Sequence, residues 1–184
     1  MNQKDKQNIN SFLKDYKVAA IASSSKFLVK EVLKEIPDNL TIIVEHGSGD
    51  GVLSKHLLKK VKQDGKVFLV EQNQKFLDIL NKIKNPQAHI FSGYAQDFDY
   101  KNNLGENKKA DLVVSSIPFF FLSEKDREEV VREAYKNLKS GGKLIVFHQY
   151  RLYVLPYLKK YFKDIKLKFV LRNLFPCFII IATK

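Results

Sequence analysis

The stretch IIVEHGSGDGVLSKHLL, Ile42 to Leu58, constrains the fold of this chain more than any other. An apolar run of strand type passes through Gly47, Gly49 and Gly51 into a helical pattern, so the backbone turns sharply at the end of a strand. A glycine loop at the carboxyl end of a first strand is where open α/β sheets bind ligands. Such a sheet needs further strand and helix pairs, and the apolar periodicity supplies them. It predicts strand 41–45, helix 51–60, strand 66–71, helix 74–83 and strand 88–92, then strand 110–115 and helix 123–138 opened by Ser123. Strand 143–149, helix 152–162 and strands near 165–171 and 177–183 complete the series. Regular alternation of this kind predicts an α/β fold with a doubly wound, mostly parallel sheet.

Before that core, Ile9, Phe12, Leu13 and Tyr16 sit at helical spacing, and Ser23, Ser24 and Ser25 offer caps for a second helix ending before Pro37. The expected organisation is one domain over 1–184, with N-terminal helices over 1–37 and a core over 38–184. No repeat or long linker divides it; YKNNLGENKKAD reads as the most loop-like stretch. The lone Cys177 cannot form an intramolecular disulfide, and no apolar run approaches the ~18–20 residues that span a bilayer. A cytoplasmic location is expected, peripheral to the inner membrane face if the partner is lipid.

The spacing of the glycines decides which ligand the loop suits. A dinucleotide fold wants G-x-G-x-x-G and a phosphate loop wants G-x-x-x-x-G-K-[S/T], whereas here the pattern is E-x-G-x-G-x-G led by Glu45. Glu45 brings negative charge toward the ligand, which disfavours a pyrophosphate and suits an ammonium group. Twenty residues beyond Gly51, Glu71 ends the next strand, where a carboxylate can accept from both hydroxyls of a ribose. An adenosine with a free ribose, a cationic amino-acid tail and no phosphate is S-adenosylmethionine. Ser48 between the glycines and Gln72 after Glu71 complete this part of the expected cofactor site.

With Glu45, the three glycines and Glu71 in register, the chain resembles the class I methyltransferases over nearly its whole length. That resemblance implies a Rossmann-like sheet of seven strands whose last strand is antiparallel, and S-adenosyl-L-homocysteine as product. In FSGYAQDF, such enzymes commonly carry G-D-A, the aspartate taking the adenine amine and the next residue lining the ring. Here Tyr94 stands at the aspartate position, Ala95 follows, and Asp97 is displaced by three residues. Tyr94 covering the adenine and Asp97 substituting for the aspartate remain alternatives.

The acceptor side is expected in ADLVVSSIPFFFL. Enzymes methylating adenine amines carry N-P-P-Y or N-L-P-Y at this point. Ser116-Ile117-Pro118-Phe119 keeps the proline and an aromatic but loses the amide. The pattern is more similar to the S-G-L-P-L of the bacterial soluble phosphatidylethanolamine N-methyltransferases. VAAIASSSKFL and RNLFPCFI resemble two further motifs of that family, with Ala19, Ser23, Ser116 and Phe175 departing from its usual residues. The resemblance implies N-methylation of a phospholipid headgroup amine, with Ser115, Ser116, Pro118, Phe119 and Tyr150 as candidate catalytic residues. Phe119, Phe120 and Phe121 are candidates for an aromatic wall beside a methylated cation, although three consecutive residues cannot all face one side. Tyr150, His148 and Glu45 are candidate proton acceptors by topology alone. In-line methyl transfer requires no metal.

The formal net charge is +12, and residues 139–172 hold nine Lys or Arg against one acid, Asp164. A face so basic favours phosphates of an anionic membrane or of nucleic acid; a merely solvated surface is the alternative. Lys4, Lys6, Lys14 and Lys17 flank the apolar stripe of the first helix, which suits an anionic interface or packing on its own domain. The leading expectation is a monomeric enzyme at the membrane surface. An rRNA or other nucleic-acid adenine methyltransferase and a degenerate S-adenosylmethionine-binding scaffold are the alternatives.

Overall fold

The structure, a computed structural model, describes residues 26–148, 151–171 and 176–184. The expected first helix, the caps at Ser23 to Ser25, Tyr150 and residues 172–175 of the RNLFPCFI motif lie outside the described residues. Helix α1 (Lys26–Leu33) leads into β1 (Leu40–His46), α2 (Val52–Leu57), β2 (Val61–Glu71), α3 (Gln74–Leu80) and β3 (Ala88–Ser92). The second half runs α4 (Tyr100–Leu104), β4 (Ala110–Ser115), α5 (Glu124–Asn137), β5 (Leu138–His148), α6 (Leu155–Tyr161), β6 (Asp164–Val170) and β7 (Cys177–Thr183).

The seven strands form one sheet in the order β3-β2-β1-β4-β5-β7-β6. Strands β1 to β5 pair in parallel, and β7 runs antiparallel between β5 and β6. The Rossmann-like sheet and its antiparallel last strand are as expected. Alternation along each strand sends residues to two faces, and both are covered. Ile42, Val44, Val113 and Val146 pack under α4, α5 and α6 through Tyr100, Leu104, Val130 and Leu158. Ile43, Leu69, Val114 and Ile145 pack under α1, α2 and α3 through Val32, Leu57 and Leu80.

Two strands begin five residues earlier than their apolar runs suggest. Leu40 pairs with Val61 and Ile42 with Lys66, while Ala110 pairs with Leu138 and Leu112 with Lys143, so residues 62–65 and 139–142 bulge out of register. Gly141, at φ 75, makes the second bulge possible. The loop-like stretch also contains α4, opened by Asp99 accepting from the Asn102 amide and held by buried Tyr100 and Leu104. The expected cap at Ser123 holds: its hydroxyl accepts from the Asp126 amide and opens α5. Among the described residues no helix is long and apolar enough to cross a membrane, and no group of three or more side chains could hold a metal ion.

Candidate active site

The strand order reverses between β1 and β4, because β2 lies on one side of β1 and β4 on the other. A doubly wound sheet opens a crevice at that point, outside the carboxyl ends of its strands. The loop 47–51 occupies it. Gly47, Gly49 and Gly51 have φ of 77°, 54° and 75°, a left-handed backbone that β-carbons disfavour. Their surroundings differ. A β-carbon on Gly47 would meet Ile117 Cγ2 and Ser116 Oγ at 3.0 Å, and one on Gly51 would meet Leu80 Cδ2 at 3.0 Å, but one on Gly49 would meet nothing within 4 Å. Gly47 and Gly51 therefore serve close packing, whereas Gly49 turns its bare face to open space.

Glu71 ties this loop to the next. Its Oε2 accepts from the Gly49 amide at 2.9 Å, and its Oε1 accepts from the amides of Gln72 and Asn73 at 2.9 and 2.8 Å. A carboxylate offers about four acceptor sites, so these three bonds leave capacity mainly on Oε2. Gln72 itself is exposed, contributing its backbone amide to Glu71.

Glu45 lies buried beneath the loop, facing α2, where the Ser54 hydroxyl donates to it at 2.5 Å. The hydroxyl of Ser48, also buried, donates to the Glu45 carbonyl at 3.4 Å. Burial pushes the Glu45 carboxyl up to about 8, with the charges of Glu71 and Asp50 adding to the rise against the bonds from Ser54 and Ser48. The charges of Glu71 and Asp50 thus lie beside the glycine loop of a chain whose net charge is +12. That local sign repels phosphate and attracts a cation.

Beyond β3, Gly93 donates to the Glu71 carbonyl at 2.9 Å, which holds the next turn against the same edge. Tyr94 precedes a 3-10 turn over Ala95–Asp97 and is half exposed; Ala95 is buried. Asp97 does not join this cluster. It is exposed and lines a polar cleft with Lys101, Glu129 and Glu133, against α5.

On the other side of the loop, the Ser116 hydroxyl donates to the Gly47 carbonyl at 2.7 Å and its amide to the His46 carbonyl at 3.0 Å. Ser116 therefore clamps the end of β4 to the glycine loop. Ser115 is fully buried, its hydroxyl without a hydrogen-bond partner among the described residues. Pro118 is half-buried and opens a 3-10 turn over Phe119–Phe121, its carbonyl accepting from the Phe121 amide at 3.0 Å. Phe119, a candidate for the acceptor side, has its ring fully buried and stacked on His148 at 5.9 Å. Phe120 is half-buried and Phe121 exposed, so only these two can present a wall.

Two residues here had no sequence signal. Arg127, one turn into α5, donates from Nε to the Phe119 carbonyl at 2.8 Å and from Nη2 to the Phe120 carbonyl at 3.0 Å. Its guanidinium also lies 4.9 Å from the Tyr153 ring centroid, joining the loops after β4 and β5. His46 is fully buried with Nε2 3.1 Å from the Tyr100 hydroxyl, and burial lowers it to about 4, so it stays neutral. His148 is likewise lowered to about 4 by burial, which makes it a poor acceptor for an ammonium proton.

Comparison with known proteins agrees with this geometry. The family described as "Methyltransferase domain" matches residues 43–142, more than half of the chain. An ornithine lipid N-methyltransferase of Singulisphaera acidiphila is 24% identical over 162 residues, covering 86% of this chain and 84% of that protein. Among solved structures, the N-methyltransferase NodS of Bradyrhizobium japonicum superposes with a TM-score of 0.72 at 11% identity, over 85% of this chain and 93% of that one. A precorrin-6y C5,15-methyltransferase of Geobacter metallireducens does so with a TM-score of 0.68 at 18% identity, over 86% and 88%. The chain belongs to the methyltransferase domain family and is an S-adenosylmethionine-dependent methyltransferase.

Proposed function

We propose that this enzyme N-methylates the primary amine of a lipid headgroup. The observation that carries the reading is the acceptor side of the crevice. Ser116 commits its hydroxyl to the Gly47 carbonyl, so no planar amide is offered there to grip an extruded base. What the adjoining turn presents instead is aromatic, Phe120 and Phe121 together with Tyr153, whose ring lies 4.8 Å from Phe120. A flexible ammonium that gains methyl groups is well served by such rings. The likeness to an ornithine lipid N-methyltransferase over 86% of the chain supports the same class of acceptor.

In this reading the crevice fits S-adenosylmethionine. The bare face of Gly49 receives it, the remaining capacity of Glu71 Oε2 takes the ribose, and Glu45 and Asp50 balance the positive charge of the tail. Tyr94, half exposed at the same edge, covers the adenine in preference to Asp97. When bound, the cofactor supplies an electrophilic methyl on a sulfonium. The chain's own contribution is to position the neutral amine and keep water away, while the proton leaves to solvent because the nearby histidines are too acidic to hold it.

A second reading, methylation of an adenine amine in RNA, is favoured by the net charge of +12. Purified enzyme incubated with S-adenosylmethionine and vesicles containing an amine lipid should yield methylated lipid by mass spectrometry. An unmodified lipid beside a methylated rRNA transcript would establish the second reading in its place.

A further inference from the structure

Strands β5 and β6 both run antiparallel to β7, so their carboxyl ends lie on the same edge of the sheet as the glycine loop. Among the described residues, the outer part of that edge carries exposed apolar side chains. Leu152, in the turn after β5, is 72% exposed, and Phe169 and Leu171, at the end of β6, are 53% and 69% exposed. Phe121, in the turn after β4, is 45% exposed. Ring contacts connect parts of this surface: Phe169 lies 4.8 Å from Phe178, whose ring carries the Arg151 guanidinium at 5.0 Å. On the inner side, Phe121 lies 5.3 Å from Phe120, which contacts Tyr153. Residues 151–171 meanwhile hold six Lys or Arg against one acid, Asp164.

We propose that this outer edge, centred on Leu152, Phe169 and Leu171, is a docking surface for an anionic lipid interface. Large side chains standing free beside arginine and lysine match an interface in which acyl chains lie under phosphates. The charge decides among occupants. Residues 1–25 carry four lysines against two aspartates, so that segment would bring positive charge to a positive surface. A second copy would do the same across a two-fold axis. RNA supplies the negative charge but has no use for exposed leucines. The proposal rests on the lipid reading of the active site and deepens it: a docked enzyme opens its crevice toward headgroups without extracting the lipid.

The test compares wild type with a variant carrying Leu152→Glu and Leu171→Glu, both at exposed positions, using Ile79→Glu on α3 as a surface control. Co-sedimentation is measured with vesicles of phosphatidylglycerol and phosphatidylcholine and with phosphatidylcholine alone. Wild type and the control should bind the anionic vesicles, and the double variant should bind about tenfold more weakly or worse. Its S-adenosylhomocysteine affinity and its rate on a short-chain soluble amine lipid should match wild type. Docking at this edge is overturned if the double variant binds anionic vesicles like wild type, or if Phe12→Glu with Leu13→Glu abolishes binding while the double variant retains it. It is also overturned if the double variant loses only RNA binding, or only self-association by sedimentation velocity. Wild-type docking through this edge with methyl transfer confined to RNA would uphold the surface and refute the acceptor.

Discussion

Replacing Gly49 by alanine separates what the glycine loop does for the fold from what it does for the ligand. At φ 54°, an L-residue costs roughly 1–2 kcal/mol. The new methyl meets no protein atom within 4 Å, so nothing adds to that cost. For a chain of this size the melting temperature should fall by roughly 2–8 °C. If the open face receives the cofactor, the methyl should intrude on it, and overpacking of roughly 1–3 kcal/mol should weaken affinity about 5- to 150-fold. Gly47→Ala should behave in the opposite order. There the same strain is joined by contacts at 3.0 Å with Ile117 and Ser116, for roughly 2–5 kcal/mol and a fall of about 4–20 °C. Calorimetry with S-adenosylhomocysteine and thermal unfolding measure both quantities. Gly49→Ala binding at wild-type affinity with the expected small loss of stability would refute the assignment of the open face to the cofactor.

Arg127→Ala should leave the Phe119 and Phe120 carbonyls without their donor, at roughly 1–3 kcal/mol, and should raise the acceptor KM several-fold while cofactor Kd stays unchanged; steady-state kinetics beside calorimetry read the split. Glu71→Gln should weaken cofactor binding about tenfold and also lower the melting temperature, because the amide cannot replace a carboxylate that accepts from Gly49, Gln72 and Asn73. For Glu45 the sign is opposite for binding and for stability. Its folded pKa of about 8 lies above the ordinary 4.5, so its contribution to the free protein's stability is complete below pH 4.5 and is lost as pH rises through 8. Binding a cation beside it favours the carboxylate, so affinity should rise with pH over the same window with proton release, and Glu45→Gln should flatten that dependence in calorimetry across buffers.

The alternation of strand and helix was legible because each buried strand is an apolar run and each helix presents its apolar residues to one face of the sheet. The glycine loop was legible because its signature, backbone without β-carbons beside acids, is local in sequence. The early starts of β2 and β5 were hidden by Gly65 and by Gly141 and Gly142, which break the pattern where the register slips by a bulge. A signal for α4 was present in Asp99 followed by Tyr100 and Leu104 at helical spacing, but five residues are too few for periodicity to stand out. Phe119 and Phe121 differ only in which side of a 3-10 turn they occupy, and that depends on Arg127 reaching back from α5. Arg127 itself sits in EKDREE, where a charged side chain looks solvated. His46 and Tyr100 pair across 54 residues, a contact that no local pattern encodes.

The most direct test of the central claim supplies purified enzyme and S-adenosylmethionine with a radiolabelled methyl to a whole-cell extract, then partitions the products into lipid, RNA and protein. The acids beside the glycine loop, the aromatic acceptor side and Ser116 turned onto Gly47 predict label in the lipid fraction, on an amine headgroup, reduced by Arg127→Ala. Label confined to RNA, and increased by Ser116→Asn, would contradict the account.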